Sequence, residues 1–185
     1  MEIDAIKKKV LEDVDPETHR KKKKEMRIQR LIVTLQFLGI AAVVILIFYI
    51  LMGISTVDGN SMYPTLHDKD IVIYNRRCKE YKAGDIVAIA RPSGEDYVKR
   101  VIAVAGDMVN IQDGKVYVNG EEVRYDGEIG TTEKKSSKIT YPLRVGDKEV
   151  FVLGDNREVS RDSREIGTVK VSDIEGKIEC YMGRP

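Results

Sequence analysis

The chain has 185 residues, room for one domain of ordinary size plus an appendage, and its composition is neither disordered nor collagen-like. Its formal net charge of +1 hides an asymmetry: residues 1–30 carry ten Lys/Arg against seven Asp/Glu, while residues 31–185 carry twenty-one against twenty-three. The appendage is basic and the body slightly acidic, which excludes nucleic acid as the expected partner of the body. Only two histidines are present, His19 and His67, so no cluster of nitrogen ligands for zinc is expected, and phosphate-binding glycine loops are missing as well.

Residues 4–30 read either as a charged helix interrupted at Pro16 or as a solvated tail that sets topology; no chemistry is assigned to them. Leu31–Ile54 is a run of 24 residues without a charge, punctuated by Thr34, Gln36, Gly39 and Gly53. As a helix it would be roughly 36 Å long, enough to cross a hydrocarbon core of about 30 Å with some tilt. A cleavable leader is the competing reading, but the charged stretch before the run is long, the apolar core is longer than about 15 residues, and Ile54-Ser55-Thr56-Val57-Asp58 lacks the small-residue cleavage pattern. The basic run Arg20–Lys24, with Arg27 and Arg30, lies before the apolar segment, and the next basic residue is Lys69. The N-terminus is therefore expected inside the cell, 31–54 to be a membrane anchor, and 55–185 to lie outside.

Past the anchor, continuous apolarity gives way to alternation in short runs rich in β-branched residues. Strands are expected at Asp70–Tyr74, Asp85–Arg91, Tyr97–Ala105, Met108–Gln112, Lys115–Val118 and Glu149–Leu153, with one or two closing strands in Val169–Tyr181. Asp113-Gly114 and Asn119-Gly120 suit the positive φ of tight hairpins, so the sheet should be largely antiparallel and the domain mainly β. Polar residues between Asp126 and Tyr141 predict a long exposed loop. Cys78 and Cys180 fall on the oxidising side, where they either pair or stand apart, Cys180 then buried in a strand.

Three segments could carry chemistry. Gly59-Asn60-Ser61-Met62-Tyr63-Pro64-Thr65-Leu66 can place Ser61 on a rigid bend with its own N–H free to bind an oxyanion; alone, it is also an ordinary turn. A Ser-His-Asp arrangement would need His67, whose polar surroundings read as a solvated turn. In Tyr97–Asp107, alternation puts Val101 and Ala103 on the face of Lys99 and points Arg100, Ile102 and Val104 the other way. Lys99 is then either a strand lysine reaching out to water or a desolvated amine whose charged form is disfavoured, as a base for serine requires. Gly154–Gly167, dense in hydrogen-bonding side chains between two strands, is a structured loop or a solvated one; its scattered carboxylates do not match a calcium loop.

With these three segments in this order, the chain resembles the type I signal peptidases, in particular the short bacterial forms with one N-terminal anchor, from the anchor nearly to the C-terminus. The resemblance implies an antiparallel β catalytic domain, Ser61 as nucleophile and Lys99 as general base. It further implies that Ser160 hydrogen-bonds the lysine amine, that Asp162 and Arg164 form a buttressing ion pair, and that Gly154, Asp155 and Asn156 shape the same loop. Val57, Met62, Leu66, Tyr97 and Val98 match positions that wall the pockets for small substrate residues. No cofactor or metal is implied; the partners are preproteins bearing signal peptides, the lipid bilayer and, nearby, the secretion translocon. Two departures stand out: Gly59 replaces a serine that some members use as a second oxyanion donor, and Ala103 and Ala105 replace Gly and Pro. The competing readings are a Ser-Lys protease of another kind, such as a self-cleaving repressor or an enzyme for a specialised substrate such as a pilin, and a membrane-tethered β domain that binds without cleaving.

Overall fold

The computed structural model describes residues 2–14, 16–90 and 97–183; Arg91, the expected end of one strand, lies outside them. Two units emerge, Met1–Phe48 and Tyr49–Pro185. The first is helical: α1 spans Glu2–Val14 and α2 begins at Pro16. Proline has no N–H to give to a preceding turn, but its fixed φ suits the first position of a helix, so the basic stretch is a helix starting on Pro16 rather than an irregular tail. The helix α2 continues without a break to Leu51 and is the one helix among the described residues long and apolar enough to cross a membrane.

The apolar run outlasts the helix by three residues. Met52–Thr56 forms strand β1, which pairs antiparallel with β2 (Ile71–Asn75) in the register Gly53↔Tyr74 and Ile54↔Ile73. Gly53 permits this, because a Cβ there would run into the Tyr74 ring, and Ile54-Ser55-Thr56 supplies β-favouring side chains.

The second unit holds the remaining strands: β3 (Ile86–Ile89), β4 (Tyr97–Val104), β5 (Met108–Gln112), β6 (Lys115–Val118), β7 (Glu121–Glu122), β8 (Leu143–Arg144), β9 (Glu149–Leu153), β10 (Val169–Lys170) and β11 (Ile174–Met182). They form a seven-stranded sheet, β1-β2-β11-β3-β4-β9-β10, and a four-stranded one, β7-β6-β5-β8, in which every pairing is antiparallel. Asp113 and Gly114 close the β5–β6 hairpin with φ of 51° and 72°, the signs a two-residue turn of this kind demands.

Ile102, Ala103, Phe151 and Leu153 of the larger sheet pack on Val109, Ile111 and Val116 of the smaller one. A bulge in the β4–β9 pairing between Val101 and Ala103 breaks the alternation, so Val101 packs in one cluster with Val87 and Val152 while Ala103 packs in the other; Ala103 does not share the Lys99 face as simple alternation predicts. Cys78 and Cys180 are both free thiols, and Cys180 is exposed rather than buried, because it lies on the half of β11 that outruns β3.

Candidate active site

Ser61 stands on the turn after β1. Gly59 takes φ 82°, a left-handed conformation that suits glycine, and its N–H is anchored on Asp68 Oδ1 at 2.7 Å. Beyond Ser61 the chain closes a helical turn, Leu66 N–H to Met62 O at 2.9 Å. Met62 and Leu66 drop from this turn into a cluster with Val57, Val72 and Val98. Four of the five residues expected as pocket walls are thereby core: Met62 and Leu66 expose nothing, Val57 3% and Val98 5%. They fix the nucleophile turn on the sheet from beneath. Tyr97, half-buried, is the member of the group with surface to offer.

Lys99 is 3% exposed, which decides between the two readings of it: this strand lysine does not reach water. Its Nζ donates to Ser61 Oγ at 2.7 Å and to the Val98 carbonyl at 2.9 Å, and lies 4.9 Å from the centre of the Tyr97 ring. Burial penalises the ammonium while the carbonyl and the ring favour it. His67, by contrast, is exposed at the outer side of the turn, edge-on to Tyr63 and 3.8 Å from Asp70, as a solvated turn histidine should be.

The Gly154–Gly167 loop is docked on both partners. Asn156 N–H donates to the Ser61 carbonyl at 3.0 Å. Asp155, buried, accepts the Thr65 hydroxyl at 2.5 Å and both arms of Arg100, Nε at 2.8 Å and Nη2 at 2.6 Å. One carboxylate thus ties the nucleophile turn to the base strand, and its hydrogen bonds and charge raise the hold of the Arg100 guanidinium on its proton. Arg100 and Thr65 were invisible as site residues to sequence reasoning; the available signal was an arginine on the reverse face of the Lys99 strand, which needs an acidic partner.

Asp162 caps the single helical turn α3 (Ser163–Ile166), accepts Gly154 N–H at 3.1 Å, and takes Arg164 Nε and Nη2 at 2.8 Å each. The expected Asp162–Arg164 pair is therefore present, with neither side chain exposed. The expected bond from Lys99 to Ser160 is not: Ser160 Oγ is buried beside the Asp162 carboxylate, whose charge it helps to hold, without a hydrogen bond of good geometry to any atom. It stays near the dyad all the same, since Ser160 Oγ and the Ser61 carbonyl both stand where a Cβ on Gly154 would go. Gly154→Ala should accordingly destabilise the fold by about 1–3 kcal/mol, because a carbonyl cannot swing aside as a side chain can. Urea unfolding reads this out, and an unchanged midpoint would contradict the packing.

Arg157, fully buried, completes the loop. Its Nε donates to Gly154 O at 3.1 Å, its Nη2 meets Glu128 at 2.8 Å, and Nη1 reaches Thr132. Burial lowers its proton affinity and the Glu128 charge opposes that. The segment expected as a long exposed loop is thus partly a strut: Ile129 bridges Asn156 in parallel fashion and Thr132 is fully buried.

Residues 28–182 match the family described as signal peptidase, peptidase S26. The chain belongs to this family. Signal peptidase I of Bacillus amyloliquefaciens is 38% identical over 58% of this chain and 63% of its own length. Signal peptidase I of Bacillus caldolyticus is 37% identical over 66% and 75%, and signal peptidase IB of Staphylococcus aureus 35% over 66% and 73%. The chain spans a little under two thirds of the Bacillus amyloliquefaciens relative. A solved signal peptidase I from Enterococcus faecalis V583 is similar over 53% of this chain and 96% of its own, at 30% identity and a TM-score of 0.45.

Proposed function

We propose that this signal peptidase family member is a membrane-anchored serine endopeptidase that removes N-terminal signal peptides from exported preproteins after small residues, with Ser61 as nucleophile and Lys99 as base. The observation that carries the reading is the 2.7 Å contact between Lys99 Nζ and Ser61 Oγ with the lysine out of water. Neutral Lys99 takes the hydroxyl proton as Oγ bonds to the scissile carbonyl carbon, and the Ser61 N–H receives the developing oxyanion. The ammonium then returns that proton to the leaving amine as the C–N bond breaks, leaving an ester on Ser61. Water attacks the ester, its proton passes to Lys99 and from there to Ser61 Oγ, and the signal peptide leaves as a carboxylate. Gly59 supplies no side-chain donor at the position where some members have one.

In this reading, Leu31–Leu51 crosses the bilayer with the basic helix inside and the β unit outside, next to the translocon from which preproteins emerge. The substrate enters as an extended strand. Incubating the full chain in detergent with a panel of preproteins and sequencing the new N-termini by mass spectrometry should give one cut per substrate, after small residues one and three positions before it. No cut in any preprotein, together with no labelling of Ser61 by an acylating probe, would leave a tethered binding domain instead.

A further inference from the structure

Ser160 presents a problem of support. It is fully buried and its hydroxyl, beside the Asp162 carboxylate, makes no hydrogen bond of good geometry, so its place is set largely by the main chain that carries it. On one side that main chain is held by Ser160 N–H to Asn156 O at 3.2 Å. On the other, the Ser160 carbonyl accepts Lys135 Nζ at 2.7 Å, and the same ammonium takes the Glu158 carbonyl at 3.1 Å. Between them Val159 is 63% exposed, so the outer bend of the loop has no apolar cover.

We propose that Lys135 is a positioning residue for Ser160, a clamp from the 126–141 segment that holds the serine hydroxyl against Asp162 and Gly154, beside the Ser61 backbone; the inference rests on the peptidase reading above. An exposed lysine has rotamer freedom and a full hydration shell to lose, and closing it on carbonyls is favourable only because charge-assisted bonds are stronger than neutral ones. The same segment fastens the start of the loop, with Ile129 N–H on Asp155 O at 2.9 Å, Arg157 N–H on Ile129 O at 3.0 Å and Glu128 on Arg157. Lys135 is the fastening at the Ser160 end. Removing it leaves the carbonyls of residues 158 and 160 to water and the hydroxyl with nothing on its outer side to keep it in place, a loss that falls on the rate of reaction and not on substrate binding.

The test compares Lys135→Met, Lys135→Arg, Ser160→Ala and the Lys135→Met/Ser160→Ala double variant, all as full chains in detergent, by preprotein cleavage and by hydrogen exchange of the peptide covering 156–161. Lys135→Met should lower kcat by about tenfold with KM within about twofold, since small misplacements near reacting atoms act on the rate. Lys135→Arg should recover most of that, and Lys135→Met should add nothing once Ser160 is alanine, because the two then act through one hydroxyl. Exchange in 156–161 should rise in Lys135→Met, without a change in global unfolding. Additive losses in the double variant, or unchanged exchange, would overturn the clamp. If the wild-type chain cleaves nothing, the peptidase reading fails, while the exchange measurement alone still decides whether Lys135 holds Ser160 in place.

Discussion

Ser61→Ala and Lys99→Met should each reduce preprotein cleavage by about 10⁴-fold or more, the scale seen when a nucleophile or its base is deleted from a serine hydrolase. Methionine keeps an unbranched apolar stem of similar length in the same buried space and removes the amine, so the loss cannot be attributed to a large cavity. Lys99→Arg should fail just as completely, because a guanidinium stays protonated and has no lone pair to offer the Ser61 hydroxyl. The stability of the variants runs the other way. Lys99 is 3% exposed, and a buried amine is held against its preference for water, so Lys99→Met should unfold at the same or a higher temperature than the wild type. A variant that is inactive and no less stable identifies a group kept for chemistry; near-normal turnover in any of the three would remove the dyad from the mechanism.

Alternation and turn chemistry made most of the β unit readable, because Ile71–Asn75, Met108–Gln112 and Glu149–Leu153 bury every second or nearly every residue and are bounded by residues that tolerate positive φ. What could not be read is what depends on partners distant in the chain. The strand at Met52–Thr56 is apolar enough to pass for the end of α2, and only its pairing with β2 separates it. Likewise, the bulge at Val101–Ala103 exists because of β9, not because of anything within β4. At the site, Ser61 and Lys99 are marked by their own neighbours, glycine and proline around the one and an apolar strand around the other. Arg100, Thr65, Arg157 and Lys135 carry no such mark, since each takes its role from a carboxylate or carbonyl brought to it by folding. The family resemblance assigned Ser160 a bond to Lys99, whereas the buried hydroxyl is held through its backbone instead.

Arg164→Met should cost roughly 3–5 kcal/mol of stability at neutral pH, because it strands the Asp162 charge in the interior. The pH dependence separates this cause from simple loss of packing. In the wild type, burial pushes the Asp162 carboxyl up, but the hydrogen bonds and charge of Arg164, with help from Ser160 and the Gly154 N–H, overcome burial and hold it below its ordinary value of 3.8. A depressed carboxyl contributes stability that is present above the unfolded value and is lost as pH falls through the folded one, so Asp162 should weaken the wild-type fold only below about pH 4. Without Arg164 the burial is unopposed and the carboxyl moves above the ordinary value. The sign of the linkage reverses: the variant gains stability relative to the wild type as acid neutralises Asp162, and the difference between the two should be largest near pH 7 and shrink toward pH 4. Asp162→Asn in the Arg164→Met background should recover part of the loss at pH 7, since it removes the charge and leaves the shape. Urea titrations of the three proteins across that range measure all of this. A stability difference that does not vary with pH would mean that Arg164 matters as volume and not as the counter-ion of Asp162.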